Sequence, residues 1–434
     1  MRYILLLIIV LNSADLNSQT PGKDNLPNRL NEYFTALTNI KSFNGNVLVS
    51  KNGQVLLDQT YNIQNEIEDL HVTKDSKFII ASVSKIFIRY AILKLVDDGK
   101  LELSKKINLY IPDFPSGNKI TIEQLMFHTS GLPREIKDYD KYENLSLEKV
   151  AELAKKESLQ FEPGTQTLYS NVGYFILHYI IDKLSGSGYL KYMNKEIIQK
   201  YKLQNTGEFN NSHSITNFAY GFTNENNAIT PISQSSINRF ETGNYYSTTT
   251  DLYHFSEQLL NGKFIKKELA QKMFGKEHLL VQAGGRPGYR AYYYQNLTTG
   301  ITFLFLTNYS DIPFQEVTTD IINLLEGKPY EIPKKIHRKV IKLSDEILER
   351  YTGKYALEAD PTQIFTVLLE NNQLYISDKH GEKVAVYPES ETSFFDNPES
   401  RDGYDFVKAE GNLYTMTITS TGVKFSAKKI KSLH

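Results

Sequence analysis

The chain has 434 residues and no cysteine. It can form no disulfide bond, so its stability has to come from a packed core. For the same reason we expect no lipid anchor on an N-terminal cysteine. An excess of one charge is also missing, because 49 Lys and Arg stand against 50 Asp and Glu, a formal net charge of −1. A nucleic-acid-binding surface normally needs a basic excess, so we expect no nucleic-acid partner.

The apolar run near the N-terminus, residues 4–11, is too short to span a bilayer, which takes about 20 residues. It follows the positive charge of Arg2 and precedes small residues such as Ala14 and Ser18, which is typical of a cleaved export signal. A buried N-terminal strand is the alternative. We expect residues 1–18 to be a signal peptide and the mature protein to be periplasmic or secreted, with no transmembrane anchor.

The composition, 40% hydrophobic and 23% charged, is ordinary for a globular protein, and the length allows two or three domains. An Asn-Gly pair at 52–53 separates two apolar runs and predicts a β-hairpin. Predicted strands lie at 45–50, 54–61, 279–282, 289–295 and 300–307, and predicted helices at 28–38, 122–127, 147–155, 172–184, 250–260 and 314–325. This order predicts an α/β (α+β) fold, in which an antiparallel sheet takes its edges from distant sequence and helices pack beside it.

The C-terminal region differs in composition from the rest. Pro and Lys become frequent just after residue 328, which is typical of a linker, and beyond Tyr355 the sequence alternates as strands do. We predict a first domain at 19–328, a linker at 329–343, and a small, separate antiparallel β domain with a barrel-like form at 344–434.

Ser82 and Lys85 lie three positions apart, where an apolar stretch turns into an amphipathic helical pattern. Residues at i and i+3 share one helix face, so the Lys85 amine can reach the Ser82 hydroxyl. A lysine whose charged form is disfavoured can activate a serine, and a helix N-terminus favours developing negative charge. The same spacing occurs elsewhere, but only Ser82 opens a long helical pattern. The other pairs are Ser116–Lys119, Ser146–Lys149 and Ser426–Lys429.

Tyr169 and Asn171 form the second candidate motif. A tyrosine near a lysine can relay the proton from the serine to a leaving group, and an asparagine can hold a substrate amide. The bare spacing is common, and a surface or core tyrosine beside a turn asparagine is the simpler interpretation elsewhere. Tyr169 differs because a Pro-Gly turn at 163–164 precedes it and a helical pattern follows. The other tyrosines with this spacing are Tyr142, Tyr192 and Tyr294.

The third candidate is the glycine-rich stretch 282–288, which follows apolar residues at 279–281. Glycines that interrupt or end a strand often mark the close approach of another backbone or of a ligand. An edge strand here could pair with an extended substrate and donate an N–H to an oxyanion. A plain glycine turn is the alternative.

Three stretches, taken in order, carry a family resemblance. They are 81–85 (ASVSK), 120–133 (ITIEQLMFHTSGLP) and 161–171, which holds FEPG and YSN. Together they resemble the serine β-lactamase-related family of class C β-lactamases, D-Ala-D-Ala carboxypeptidases, D-aminopeptidases and carboxylesterases. The resemblance spans residues 30–328, and the C-terminal region is similar to the small barrel appended to many bacterial members. It implies a β-lactamase/DD-peptidase-like antiparallel sheet flanked by helices.

The resemblance also implies roles for single residues. Ser82 would be the nucleophile, with Lys85 and Tyr169 as its catalytic partners. The backbone N–H groups of Ser82 and Gly285 would form the oxyanion hole. The positions that would contact substrate are Asn171, Gln282, Gly284 and Gly285.

Gln282 departs from the family pattern, in which the third motif usually begins with lysine, histidine or, in some esterases, tryptophan. A neutral amide donates a hydrogen bond but offers no charge to a substrate carboxylate, so efficient β-lactam hydrolysis is not expected. Arg286 or Arg290 could compensate if either faces the cleft. His128 is interpreted as structural, because no second histidine at ligand spacing indicates a metal.

The sequence therefore predicts an exported serine hydrolase that works through an acyl-enzyme on Ser82, without metal or organic cofactor. Its substrates would be small esters, amides or D-amino-acid peptides. The alternative is a non-catalytic sensor or scaffold with the fold of a penicillin-binding protein. The neutral Gln282 keeps that alternative open, whereas the presence of Ser82, Lys85 and Tyr169 together argues against it. The oligomeric state is left open.

Overall fold

The computed structural model describes residues 26–430 with short exceptions, so the predicted signal peptide lies outside the described residues. The exceptions are 143–144, 210–214, 226–227, 233–241, 359–360, 362, 379–380, 382, 400, 410–412 and 421–422. In the part of the chain so described, no helix is both long and apolar enough to cross a membrane.

Helices dominate the middle of the chain and strands its C-terminal part. The helices are α1 Leu26–Asn39, α2 Lys85–Asp97, α3 Ile122–Met126, α4 Leu147–Ala154, α5 Asn171–Ser185, α6 Tyr189–Met193, α7 Thr249–Leu259, α8 Lys267–Gln271, α9 Phe314–Glu326 and α10 Asp345–Glu349. The strands before the C-terminal domain are β1 Gly45–Lys51, β2 Gln54–Tyr61, β3 Phe78–Ile79, β4 Gly207–Glu208, β5 Phe222–Glu225, β6 Ala228–Pro231, β7 Tyr245–Ser247, β8 Leu279–Arg286, β9 Tyr289–Asn296 and β10 Ile301–Thr307. Those of the C-terminal domain are β11 Gly353–Leu357, β12 Ile364–Glu370, β13 Gln373–Ser377, β14 Lys383–Pro388, β15 Ser393–Phe395, β16 Gly403–Lys408, β17 Tyr414–Ser420 and β18 Val423–Lys429.

The central sheet has five antiparallel strands in the order β2-β1-β10-β9-β8. β1 pairs with β10 along its length, with Gly45 opposite Thr307, so distant segments meet in the middle of the sheet. β1 and β2 form the expected hairpin, in which Asn52 and Gly53 have φ of 52° and 76°, as a two-residue hairpin turn requires. The predicted sheet, drawn from both ends of the first domain, is confirmed.

Both faces of the sheet are covered, because alternate side chains along its strands enter two different cores. Leu48 and Leu304 pack with the helical region, while Val49 and Phe305 pack with α1 and α9. α2 lies in the first of these cores, and residues 85–95 are all buried. A helix that is buried on every side is held rigidly, which fixes the turn at its N-terminus.

β11 to β18 form a closed antiparallel barrel, in which β11 pairs with both β12 and β18. Closure leaves no exposed sheet edge, and Tyr355, Val367 and Phe406 belong to its buried core. The barrel-like form is confirmed. Arg401 of this region forms an ion pair with Glu316 of α9. The segment 328–344 contains neither helix nor strand, while the proposed domain boundaries stay predictions.

Two local expectations differ from the structure. The pattern that follows Ser82 predicts an amphipathic helix, whereas α2 is buried on every side. The glycines of the third motif neither interrupt nor end β8, which continues to Arg286. They are accommodated because β9 pairs with this strand over its whole length, from Leu279 to Arg286.

Candidate active site

Ser82 lies in the 3-10 turn Ala81–Ser84, which leads directly into α2. Ala81 has a φ of 44°, a left-handed conformation that costs energy in a residue with a side chain. Tight packing holds it there, since a Cβ added to Gly243 would lie 2.8 Å from the Ala81 carbonyl carbon. The turn leaves Ser82 partly exposed while Lys85, one turn further on, is 0% exposed.

The structure brings together the three side chains that sequence assigned to catalysis. Lys85 Nζ lies 3.1 Å from Ser82 Oγ, and Tyr169 Oη donates a hydrogen bond to Ser82 Oγ at 2.7 Å. Tyr169 enters from the segment just before α5. Ser170 caps that helix by accepting the N–H of Gly173 at 2.9 Å, so local capping fixes where the phenol enters.

Burial makes Lys85 a usable base. The pKa of its amine is lowered from 10.5 to about 7, chiefly because burial removes the amine from water; Glu135 opposes the fall, and Arg134 and Arg89 add to it. A lysine with this pKa is uncharged in a large fraction of molecules at neutral pH. It can therefore accept the proton of Ser82, which an ordinary surface lysine cannot do efficiently.

Tyr169 is suited to donating a proton and not to removing one. Burial raises the pKa of its phenol to about 12, so the proton stays on at neutral pH. The ring stacks on His128 with centroids 4.5 Å apart, and the Arg134 guanidinium lies 5.1 Å from the ring centroid. These contacts hold the phenol over Ser82.

His128 is buried beside Tyr169, and its interpretation as a structural residue stays a prediction. Its Nδ1 accepts the N–H of Ser170 at 3.1 Å, and burial lowers the pKa of the imidazole to about 3, so the ring is neutral. No cluster of three or more metal-ligating side chains occurs within the described residues.

Thr242 and Glu135 extend the site in a way that sequence reasoning missed. Lys85 Nζ lies 2.9 Å from Thr242 Oγ1, which donates to Asn171 Oδ1 at 3.1 Å. Asn171 Nδ2 donates in turn to Glu135 Oε1 at 2.6 Å. Thr242 belongs to no spacing pattern, whereas Glu135 follows the 120–133 stretch directly and could have been noticed there.

Gly284 brings β8 against the nucleophile turn. A Cβ at this position would lie 2.2 Å from the Ile80 carbonyl oxygen and 3.2 Å from the Ser82 amide nitrogen, so only glycine permits the approach. The close approach of another backbone that the glycines predicted is therefore present.

The backbone N–H of Gly285 points away from the sheet. β8 and β9 turn through the two residues Pro287-Gly288, with Arg286 opposite Tyr289. In such a hairpin the closing pair bonds across the strands, as does every second pair after it, and the residues in between direct their N–H groups outwards. Gly285 is one of those residues, and β8 is the edge strand of the sheet. Its N–H can therefore join that of Ser82 in binding an oxyanion.

Gln282 and the two arginines are divided between the faces of β8. Gln282, Gly284 and Arg286 share the face of the sheet that is directed towards Ser82. Arg290 of β9 lies opposite Gly285, so its side chain is on the other face. Gln282 is buried and its Nε2 donates to the Ala283 carbonyl at 3.1 Å. The Arg290 guanidinium donates to backbone carbonyls at the hairpin end. Of the two arginines considered as compensating charges, only Arg286 is on the correct face.

A serine flanked by a buried lysine and a tyrosine, at the edge of an antiparallel sheet, defines a serine hydrolase of the acyl-transferase class. The family model for Beta-lactamase matches residues 36–325, two thirds of the chain. The chain belongs to the β-lactamase family.

Relatives agree with this assignment. The chain is 27% identical over 418 residues to Penicillin-binding protein 4* of Bacillus subtilis (strain 168), covering 86% of this chain and 92% of that protein. It is 30% identical over 236 residues to Protein flp of Staphylococcus aureus (strain MRSA252), covering 52% of this chain and 47% of that protein, so it matches about half the length of this relative. The octameric penicillin-binding protein homologue from Pyrococcus abyssi superposes with a TM-score of 0.61 at 20% identity, over 93% of this chain and 99% of that one. This last likeness shows the shared fold alone.

Proposed function

We propose that the chain hydrolyses small esters, amides or D-amino-acid peptides through an acyl-enzyme on Ser82. One observation carries the proposal: the Ser82 hydroxyl lies 3.1 Å from a buried amine and 2.7 Å from a protonated phenol. This is the pair of groups, base and acid, that acyl transfer to a serine needs.

The reaction has two steps. Uncharged Lys85 takes the proton of Ser82, the Oγ attacks the carbonyl carbon, and the N–H groups of Ser82 and Gly285 bind the oxyanion. The bond to the leaving group breaks as Tyr169 protonates the departing amine or alkoxide, and the lysine returns its proton to the phenol. Water then attacks the ester on Ser82 and releases the acid. The sum is one water consumed and one acid plus one amine or alcohol formed, with no metal or organic cofactor required.

Specificity follows from the third motif. A substrate carboxylate finds a neutral amide at Gln282 where many family members have a cation, so we expect slow hydrolysis of β-lactams. Arg286 shares the face of Gly284 and is proposed as one source of charge for such a substrate. Neutral esters and amides have no carboxylate that needs a cation at position 282, so we expect them to be the preferred substrates.

The chain is also proposed to act outside the cytoplasm. The apolar run 4–11 behind Arg2 supports an export signal. Cell fractionation, with the N-terminal peptide of the exported form identified by mass spectrometry, tests this. An intact N-terminus on a cytoplasmic protein would contradict it.

The test of the active site is covalent labelling. A fluorophosphonate or a β-lactam should modify Ser82, as located by peptide mass spectrometry, and Ser82→Ala should abolish both labelling and turnover of p-nitrophenyl esters and D-alanyl peptides. Ser146→Ala is the matched control, because it removes the serine of an identical Ser-x-x-Lys spacing at the N-terminus of α4. Labelling that persists in Ser82→Ala would end the assignment. Labelling of Ser82 without turnover of any substrate would favour the sensor alternative.

A further inference from the structure

The hydrogen bonds behind Lys85 form a continuous path from the buried base to the surface. Lys85 and Thr242 at its inner end are 0% and 6% exposed. The carboxylate of Glu135 at the outer end is half exposed, with 50% of its side-chain surface accessible. Asn171 connects the two ends, since its oxygen accepts from Thr242 and its nitrogen donates to Glu135.

The charge at the outer end sets the direction of each bond. An ionised carboxylate only accepts hydrogen bonds, so the Asn171 group that faces Glu135 has to be the NH₂. The amide is planar and rigid, so its oxygen then faces Thr242. Because that oxygen also only accepts, the Thr242 hydroxyl has to donate to it. The lone pairs of Thr242 Oγ1 remain, and they accept an N–H from Lys85.

This direction matters for the reaction. An uncharged amine has two N–H groups and a single lone pair. If the Thr242 hydroxyl donated to Lys85, its proton would occupy the lone pair that has to receive the proton of Ser82. With the direction that Glu135 sets, Thr242 binds an N–H of the amine and the lone pair stays open towards Ser82, 3.1 Å away.

We infer that Thr242 and Glu135 are positioning residues of the acylation step. Thr242 binds the amine of Lys85 directly, and Glu135 acts on Thr242 through Asn171, so that the lone pair of Lys85 stays directed at Ser82. The inference rests on the proposed function of Ser82. Arg134 does not change the argument: its Nε lies 3.7 Å from the same Glu135 oxygen and both side chains are exposed, which makes a weak ion pair beside the 2.6 Å bond from Asn171.

The experiment measures the modification of Ser82 by a fluorophosphonate, with kinact and KI determined from pH 5 to 9.5 by intact-protein mass spectrometry. Thr242→Val keeps the shape and removes the hydroxyl, so kinact should fall about 10- to 100-fold with little change in KI, the effect of one hydrogen bond to a charged or reacting group. Thr242→Ser should restore most of the rate. Glu152→Gln, which removes an exposed charge on α4, is the control.

Glu135→Gln gives a sharper signature. Its neutral amide can face Asn171 in either orientation, so kinact at high pH should fall about 3- to 10-fold as the direction of the path is lost. The same substitution removes a negative charge that raises the pKa of Lys85, so the acid limb of kinact/KI should move to lower pH. A residue that only supports the fold would not produce a lower plateau together with a more acid limb.

Several results would overturn the inference. These are an unchanged kinact in Thr242→Val, a wild-type pH profile in Glu135→Gln, or changes confined to KI, which would make these residues substrate contacts. Thermal unfolding midpoints identify variants that fail to fold, and the two conservative changes, Thr242→Ser and Glu135→Gln, then decide. If the wild-type protein is not modified at Ser82, the proposed function itself fails. If Ser82 is modified but the Thr242 and Glu135 variants react like the wild-type protein, only the positioning role fails and the proposed function stands.

Discussion

Lowering the pH through 7 should switch off the attack by Ser82, because the base that activates it becomes charged. A lysine with a pKa of 10.5 is uncharged in about one molecule in 3000 at pH 7, whereas Lys85, with its pKa lowered to about 7, is uncharged in about half. Burial therefore raises the fraction of reactive base about 1500-fold, which corresponds to about 4 kcal/mol. The labelling rate should fall about tenfold for each pH unit below 7 and reach a plateau above it.

The assay is the second-order rate of fluorophosphonate labelling at Ser82 between pH 5 and 9.5. Lys85→Met should lose nearly all labelling over this whole range. Lys149→Met is the control, because it removes the lysine of another Ser-x-x-Lys pair and should leave the profile unchanged. A wild-type rate that keeps rising tenfold per unit up to pH 9 would mean that the pKa of Lys85 is not lowered. A rate independent of pH would remove Lys85 from the role of base.

The remaining predictions concern the proton donor and the edge strand. Tyr169→Phe should reduce kcat/KM for a p-nitroanilide at least about tenfold more than for the matching p-nitrophenyl ester, since only the amine has to be protonated as it leaves; equal losses on both would contradict the donor role. Gly284→Ala should slow Ser82 labelling about tenfold or more, because its Cβ would lie 2.2 Å from the Ile80 carbonyl oxygen. Gly285→Ala should lose much less of the labelling rate, because its Cβ would meet only the Arg290 side chain, at 3.5 Å. Similar rates in the two variants would refute the contact. Gln282→Lys should raise the second-order rate of acylation by a carboxylate-bearing cephalosporin about tenfold relative to that by a neutral ester. An unchanged ratio of the two rates would show that the side chain at this position does not bind the substrate carboxylate.

Two features of the active site lower the stability of the folded protein. Ala81 is held in a left-handed conformation, and Lys85 is buried although its charged form prefers water. Both features persist because the core around α2 is packed on every side. Strain and a desolvated amine next to a partly exposed hydroxyl are typical of catalytic sites, where function is favoured over stability.

The sequence by itself determined the local parts of this protein. Ser82 and Lys85 had to lie one turn apart, because backbone geometry sets that distance whatever surrounds it. The hairpin at Asn52-Gly53 follows in the same way from its two turn residues. The order of strand and helix patterns was enough for the sheet and the barrel-like domain, and the family resemblance linked Tyr169 to Ser82 before any distance was known.

Only the tertiary structure decided which residues complete the site. Thr242 lies 157 positions after Lys85 and meets it solely through packing. The register of β8 on β9 places Arg286 and Arg290 on opposite faces, and a shift by one residue would exchange them. The pKa of Lys85 depends on how completely distant elements exclude water from it. Local patterns act within a few residues, whereas burial, hydrogen-bond partners and strand faces depend on contacts between segments far apart in the chain.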